Sequence, residues 1–311
     1  MQGITVRLDY WLKNTGGTNT ISVDLSGDGG GTWTALKSDS SEPTSETTVL
    51  YGGPSDTWSR GWSASALSNA NFRVRVTMNL GNSGQEVNLD WIPVRVYYGP
   101  IGLVQTIGTN TRSSVGNSTV SLTVSGLGVG AGDSVIVAVT AGTFAGAVSC
   151  SDSKGNTYAV DADVIGAIRL FVCSAHNVTA LASGDTITAS YPGFSGLTTI
   201  SANEFAGLSS IPVDRWATAT GNNASPSSGS TAATTKASEL LFAAIAHNST
   251  PTFTEGAGYA LVGQVIGGSG SGQRTLSPEY RIVSSIGSYA ADGSLSGGQQ
   301  WEAVIVTYKT P

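Results

Sequence analysis

The chain has 311 residues, of which 40% are hydrophobic and only 12% are charged, about half the charged fraction of an average globular protein. Its net charge is −6 and its 15 Lys and Arg residues are scattered, whereas nucleic-acid binding needs clustered cations. No stretch approaches the roughly 18 consecutive apolar residues of a membrane-spanning helix. We therefore expect no nucleic-acid partner and no membrane insertion.

The first residues, MQGITVRLDYWLKN, contain no apolar core flanked by cations, which a secretory signal peptide would have. A strand pattern begins almost at once, with apolar residues at Ile4, Val6, Leu8 and Tyr10. Two interpretations stay open. The protein is made in a cytoplasm without export, as virion proteins are, or the chain is a processed fragment of a longer one.

Apolar and polar residues alternate with period two in the first third of the chain. This predicts antiparallel strands with one buried face, in clear runs at 4–13, 20–25, 72–78 and 87–98 and a further run at 47–51. Pro93 has no N–H to donate, so its strand should lie at a sheet edge or carry a bulge. The breaker pair Gly99-Pro100 ends the first predicted domain, 1–99.

Residues 100–311 form the second predicted domain. Its strands are predicted at 101–107, 119–124, 133–140, 146–151, 157–161, 167–174, 185–190, 197–206, 239–247, 258–266, 276–284 and 300–308. Gly155-Asn156 is interpreted as a hairpin turn, since both residues tolerate positive φ. No helical periodicity is found, and 201–208 could form one helical turn at most.

Residues 218–238 are rich in Ser, Thr, Gly and Asn, which fits either a linker or a long surface loop. We favour the loop, because the four strands after it could not bury both faces of a sheet alone. Those strands should complete the sandwich that begins at residue 101. The predicted fold is all-β, with two antiparallel, jelly-roll-like β-sandwich domains in tandem.

Residues 26–33 (SGDGGGTW) match all five defining positions of the Asp-box pattern S-x-D-x-G-x-T-W. The match resembles the hairpin turn that is repeated in sialidase-like propellers and occurs singly in other β-proteins. The resemblance implies a structural role, away from any catalytic centre. A propeller would need several boxes at blade-like spacing, and one is present. We predict a structural hairpin built on Ser26, Asp28, Gly30, Thr32 and Trp33.

A set of aromatic residues in the first domain permits two interpretations. Exposed aromatic rings bind sugars by stacking, as in carbohydrate-binding modules, and Trp58 and Trp62 in a predicted loop are the candidates for glycan binding. The alternative is that the rings fill the core of a small domain, as most buried aromatics do. The full set is Trp58, Trp62, Trp91, Tyr97 and Tyr98.

The sequence contains no combination typical of a catalytic centre. The two histidines, His176 and His247, have no motif around them, and neither a G-x-S-x-G elbow nor a zinc-like Cys/His spacing occurs. We predict no enzyme, no metal and no cofactor. Isolated carboxylates are assigned to turns or strand edges; they are Asp28, Asp90, Asp152, Glu204 and Glu279.

The only cysteines, Cys150 and Cys173, lie near the ends of predicted strands that we take to be adjacent. A disulfide between them and a pair of small buried thiols are both compatible with the sequence. The chain is long enough to be stable without a covalent crosslink.

Several segments resemble β-sandwich modules of phage structural or tail proteins and of bacterial surface proteins. They are 26–33, 57–62, 68–74 and 89–98 in the first domain, and 152–158, 204–208, 212–214 and 279–283 in the second. The resemblance implies a structural or adhesive role and provides no catalytic residue to transfer.

We therefore expect a non-enzymatic structural protein of a virion (capsid decoration, tail or fibre) or of an extracellular surface filament. The alternative is a carbohydrate-binding, adhesive module of a secreted or cell-surface protein. Its partners would be other copies of itself, other virion or surface proteins, or cell-surface glycans. With few charges to guard its strand edges, the first domain is expected to face the assembly and the second to project outward.

Overall fold

The computed structural model of the chain describes residues 1–311 except Ala64, Tyr98 and Thr250, and except the side chains of Val115, Phe194, Ser195 and Ser271.

The described chain is almost entirely β-structure, and the all-β prediction is confirmed. Its strands pair only in antiparallel fashion, and its helical structure is a single 3-10 turn, Gly270–Gly272. The chain divides into two compact units, Met1–Gly99 and Pro100–Pro311, called unit 1 and unit 2 below. No helix of the described residues is long and apolar enough to cross a membrane.

Unit 1 contains two sheets that share one core. Its strands are β1 (Gly3–Leu12), β2 (Thr20–Ser26), β3 (Lys37–Asp39), β4 (Thr47–Gly52), β5 (Arg73–Asn79), β6 (Val87–Trp91) and β7 (Val94–Tyr97). One sheet has the order β4-β1-β6, with β7 also pairing with β1, and the other has the order β3-β2-β5. The alternating apolar residues of β1 and β2 face each other across the core, including Ile4, Val6 and Leu8 on β1 and Ile21 and Val23 on β2.

The predicted strand that contains Pro93 carries a bulge, which is one of the two outcomes expected from the sequence, and it is also interrupted at the proline. Residues 92–93 separate β6 from β7, both of which pair with β1. The register also shifts between Asp9 and Tyr10 on β1, where β6 has one extra residue, Asp90. Proline cannot donate to the ladder, and the extra residue forms a bulge. Together they divide one predicted strand into two.

Unit 2 contains two six-stranded sheets. The first is built from β8 (Gly102–Thr123), β9 (Ser134–Gly142), β10 (Ser149–Asp152), β11 (Ala159–Ile165), β12 (Ile168–Ala175) and β13 (Thr186–Ala206). The second is built from β14 (Val213–Asn223), β15 (Ser238–Asn248), β17 (Ala260–Leu261), β18 (Val265–Gly267), β19 (Arg274–Ser284) and β21 (Gln299–Lys309), and a small separate sheet from β16 (Phe253–Glu255) and β20 (Gly293–Leu295).

The two large sheets of unit 2 meet in one apolar core, as expected for a sandwich that the last strands complete. Leu170 and Phe205 from the first sheet pack with Phe242, Val304 and Tyr308 from the second. The rings of Phe205 and Phe242 meet edge to face with centroids 6.0 Å apart, a favoured aromatic geometry. Residues 224–237 run as a loop within this unit, bonded to 287–291.

The two sheets of unit 2 also follow the same path. The first has the order β10-β13-β9-β12-β11, with β8 also pairing with β13, and the second has the order β14-β21-β15-β19-β17, with β18 also pairing with β19. In the first sheet β13, the last of its strands in sequence, pairs with β8, the first, and with β9, the second. In the second sheet β21 pairs in the same way with β14 and β15. The same topology is therefore repeated along the chain.

Several predicted elements of unit 2 differ from the structure. The runs at 101–107 and 119–124 belong to one 22-residue strand, and those at 185–190 and 197–206 to one 21-residue strand. These two long strands pair with each other. The pairing extends through residues 109–114, which are exposed and therefore carry no alternating pattern.

Two smaller expectations were wrong. Residues 218–223, predicted as part of a loop, belong to β14, whereas 201–206 lie in β13 as the strand prediction for 197–206 requires. Gly155 has a positive φ of 76° and lies in a turn, but the flanking β10 and β11 pair with β13 and β12, respectively, and not with each other. A local turn signal does not determine which strands become partners.

Candidate functional site

The Asp box forms a tight turn after β2, and all five pattern residues have a place in it. Asp28 Oδ1 accepts hydrogen bonds from Ser26 Oγ at 2.7 Å and from the Thr32 backbone N–H at 2.9 Å. Trp33 Nε1 donates to the Gly30 carbonyl at 3.0 Å, and Gly30 has a φ of 106°, which glycine tolerates best. The hydrogen bonds with Thr32 and Ser26 lower the pKa of the Asp28 carboxyl.

Trp58 and Trp62, the residues proposed for glycan stacking, are buried, so this assignment was wrong. Only 3% of Trp58 and 9% of Trp62 is exposed, and both rings belong to the core of unit 1. Their indole N–H groups donate to the carbonyls of Ile4 and Thr57 at 2.9 and 2.8 Å. A small unit fills its core with large rings whose polar atoms find backbone partners.

Trp91 is the exposed tryptophan of the same aromatic set, with 56% of its surface accessible. Val87 and Leu89 oppose Leu12 and Tyr10 on the core side of β6, and strict alternation would place Trp91 on that side too. The bulge at Asp90 changes this, because Trp91 opposes Asp9 on the outer face. The extra residue thus turns the ring from the core to the surface.

The surroundings of Trp91 form a shallow groove on the outer face of the β4-β1-β6/β7 sheet. This groove is called the Trp91 face below. It has a cavity volume of about 390 Å³ and is lined by Thr5, Arg7, Leu50, Trp91, Pro93, Val94, Arg95 and Tyr97. Most of these residues occupy the strand positions that alternate with the core residues, so the pleat of the sheet brings them to one surface. Tyr98, the last of the predicted aromatic set, lies outside the described residues.

One end of the Trp91 face is a fixed, charge-paired cluster. The Arg7 guanidinium lies 5.3 Å from the centre of the Trp91 ring, within the range of a cation–π contact. The same guanidinium donates to both oxygens of Asp9, at 2.8 and 2.6 Å, and Thr48 Oγ1 donates to Asp9 at 2.6 Å. The hydrogen bonds with Arg7 and Thr48 lower the pKa of Asp9, so this pair is ionised and its charges balance.

The other end of the face is formed by Arg95 and Tyr97 on β7. These residues oppose Thr5 and Gly3 on β1. Thr5 Oγ1 donates to Tyr97 Oη at 3.5 Å, and hydrogen bonds from Thr5 and then Arg95 lower the pKa of the Tyr97 phenol. Arg95 is exposed and forms no ion pair with any described carboxylate. Its charge is therefore open to a ligand.

His176 of unit 2 belongs to a buried polar chain that sequence reasoning missed. Ser174 Oγ and Tyr308 Oη both donate to Asp161 Oδ2, at 2.5 and 2.6 Å. Because Ser174 has only one proton, it accepts from His176 Nε2 at 2.7 Å, and Nδ1 then accepts from Ser134 Oγ at 2.8 Å. Burial lowers the pKa of His176 to about 4, so the ring is neutral. Within this polar chain the hydrogen bond from Tyr308 to Asp161 is the one that joins the two sheets.

Cys150 and Cys173 form a disulfide in the structure, with Cα atoms 6.2 Å apart. Their strands are not neighbours in a ladder, contrary to expectation, since β10 pairs with β13 while β12 pairs with β9 and β11. The bond instead joins two layers. The first part of β13 and the end of β8 fold over β9 and β12, and this covering layer packs in a second core.

Two carboxylates assigned to turns or strand edges are buried inside unit 2, which corrects that expectation. Glu204 is 1% exposed and accepts from the Gly130 N–H and from Gln105 Nε2, both at 2.6 Å. Burial and the hydrogen bond to Glu204 raise the pKa of the neighbouring Asp133 to about 7. Glu279 is fully buried.

Among the described residues, no group of three or more His, Cys, Asp or Glu could hold a metal ion.

No protein-family model, curated protein or solved structure matches the chain.

Proposed function

We propose that this chain is a non-enzymatic adhesive protein of a virion or of an extracellular surface filament, and that it binds carbohydrate through the Trp91 face. The observation that carries the proposal is the exposed indole of Trp91, which the bulge at Asp90 turns out of the core. A large ring held at the surface, with no core function, marks an interaction site more often than a buried ring does.

The composition of the groove supports a sugar as the ligand. Ligand sites combine apolar or aromatic surface with a few well-placed polar groups. The ring of Trp91 provides a flat apolar surface for the C–H face of a pyranose, and the guanidinium of Arg7 restricts its rotation. Thr5, Arg95 and Tyr97 provide hydrogen-bonding groups for hydroxyls along the same groove.

A glycan array probed with the full chain tests the proposal, followed by titration of the best ligand with Trp91→Ala. We expect the variant to lose at least about tenfold in affinity, equivalent to about 1.4 kcal/mol. Leu36→Ala is the matched control, since Leu36 is also 56% exposed in unit 1 but does not line the groove. Equal binding by the wild type and Trp91→Ala would refute the assignment of this face.

Assembly into a particle or filament is a second function, favoured by a different surface. β14 lies at the end of the second sheet of unit 2, and Trp216 on it is 58% exposed. An edge strand with an exposed large apolar residue tends to associate with another chain. We expect imaging and light scattering to find an ordered oligomer, and Trp216→Lys to weaken it. A wild-type chain that stays monomeric at high concentration would exclude this role.

A further inference from the structure

We infer that the ligand of the Trp91 face is an acidic oligosaccharide, whose sugar ring stacks on Trp91 and whose carboxylate is bound by Arg95. This inference rests on the proposed carbohydrate-binding function and specifies the class of ligand. The two guanidinium groups in the groove differ in their partners: Arg7 is paired with Asp9, and Arg95 has no carboxylate partner among the described residues.

The charge of Arg7 is already used within the protein. Its guanidinium forms a two-point contact with Asp9, the geometry that arginine also uses for ligand carboxylates. Only 4% of the Asp9 side chain is accessible. Asp9 cannot leave Arg7 without becoming a buried, unpaired charge, which is costly. Arg7 is therefore a fixed part of the wall beneath the ligand.

Arg95 has the same chemistry without a carboxylate partner. It lies exposed at the groove, where no described Asp or Glu pairs with it. The adjacent Tyr97 accepts a hydrogen bond from Thr5, which leaves the phenolic O–H of Tyr97 to be donated elsewhere. A guanidinium and a phenolic O–H on one strand are suitable donors for the oxygens of a carboxylate.

The electrostatics of the face orient the ligand. The negative charge of Glu46 contributes to raising the pKa of Arg7, and the exposed Asp90 precedes Trp91. Negative charge therefore lies toward the Trp91 end of the groove. The unpaired positive charge lies at Arg95. A neutral ring surface is therefore favoured at Trp91 and the anionic group at Arg95.

The spacing along β1 indicates the length of the ligand. Trp91 opposes Asp9, whereas Arg95 opposes Thr5, four residues away. At about 3.3 Å per residue, these positions are roughly 13 Å apart. A ligand that stacks on Trp91 and pairs with Arg95 across this separation is therefore expected to be a short oligosaccharide.

The test uses the full chain with two probes that share one sugar backbone: oligogalacturonate and the same oligosaccharide with its carboxylates neutralised as methyl esters. We expect the wild type to bind the free acid at least about tenfold more tightly and to lose affinity as salt is raised. Arg95→Gln should abolish this preference, and Arg95→Lys should restore only part of it. Lys13→Gln, which removes an exposed cation of unit 1 outside the groove, should change nothing.

The preference for an acidic ligand and the carbohydrate-binding function are refuted by different results. If the wild type binds both probes equally, and Trp91→Ala weakens both while Arg95→Gln weakens neither, the acidic specificity is refuted and the carbohydrate-binding function stands. If neither probe binds, nor any saccharide of a broad array, both are refuted. Circular dichroism of each variant establishes that the fold is retained.

Discussion

Glu279 is the least satisfied ionisable side chain in the second sheet of unit 2. It is fully buried, and neither of its carboxylate oxygens has a hydrogen-bond partner. Burial, and then the charges of Asp292 and Glu255, raise the pKa of Glu279 to about 8. A carboxyl whose folded pKa is raised stabilises the folded state below its unfolded pKa, and this contribution is lost as the pH rises through the folded value.

We therefore predict that Glu279→Gln removes part of the pH dependence of unit 2. The stability of the variant relative to the wild type should increase by about 2–3 kcal/mol between pH 6 and pH 8, because glutamine has no proton to lose. Urea unfolding at the two pH values measures the difference. A difference that is the same at both values would show that Glu279 is ionised, or solvated, in the folded protein.

Asp28 of the Asp box is expected to give the opposite pH dependence of stability. Asp28 has its pKa lowered by hydrogen bonds with Thr32 and Ser26, so its contribution is present above the unfolded pKa and is lost as the pH falls. We expect Asp28→Ala to lower the melting temperature of unit 1 by a few degrees at pH 7 and by much less at pH 2. Asp90→Ala is the control, as Asp90 is exposed. An equal effect of Asp28→Ala at both pH values would contradict this.

At the scale of elements, the disulfide fastens the covering layer of unit 2 to the strands of the same sheet that this layer covers. Cys150 on β10 and Cys173 on β12 are 23 residues apart in sequence, and closing a loop of this length stabilises a fold by roughly 3 kcal/mol. We predict that the double variant Cys150→Ala, Cys173→Ala lowers the unfolding free energy of unit 2 by about this amount. Denaturant unfolding under non-reducing conditions measures it, and wild-type stability in the variant would mean the layer needs no crosslink.

The bulge in β6 is a second element with a testable role. It places Trp91 opposite Asp9 while Leu89 stays opposite Tyr10. Deleting Asp90 removes the extra residue, so that Trp91 follows Leu89 directly and stays opposite Asp9 on the outer face of a regular ladder. We expect the tryptophan fluorescence and the glycan binding of the deletion variant to match those of the wild type. A shift of the fluorescence to shorter wavelength with loss of binding would show that the bulge itself, and not the position opposite Asp9, keeps the ring exposed.

For the whole molecule, the separate cores predict two unfolding events. The core of unit 1 contains only residues before Gly99, and the four cores of unit 2 contain only later ones. We expect calorimetry to resolve two transitions, of which reduction of the disulfide lowers only the one from unit 2. A single transition that moves as a whole on reduction would show that the two units unfold cooperatively.

The pH dependence of the whole chain should also divide between the units. Unit 2 contains five carboxyls with raised pKa values: Asp133 at about 7, Glu279 at about 8 and Glu302 at about 6, together with Asp161 and Glu239. Each contributes stability at low pH that is lost as the pH rises through its folded pKa. We predict that the transition of unit 2 falls in temperature between pH 5 and pH 9 while that of unit 1 changes little.

The sequence by itself determined the all-β class, because period-two alternation on β1, β2 and β5 is a direct record of one buried face. It also predicted the Asp-box turn and the effect of Pro93, since both depend on residues that are neighbours in the chain. Strands buried on both faces, such as β9 and β15, were still recognisable as apolar runs.

Only the tertiary structure decided what depends on partners distant in sequence. Trp58, Trp62 and Trp91 are chemically identical, yet packing buries the first two and the bulge in β6 exposes the third. The pairing of β8 with β13, the disulfide between layers and the burial of Glu204 and Glu279 likewise require strands brought together from far along the chain. Period-two alternation shows that one face of a strand is buried, but it does not show which residues pack against that face.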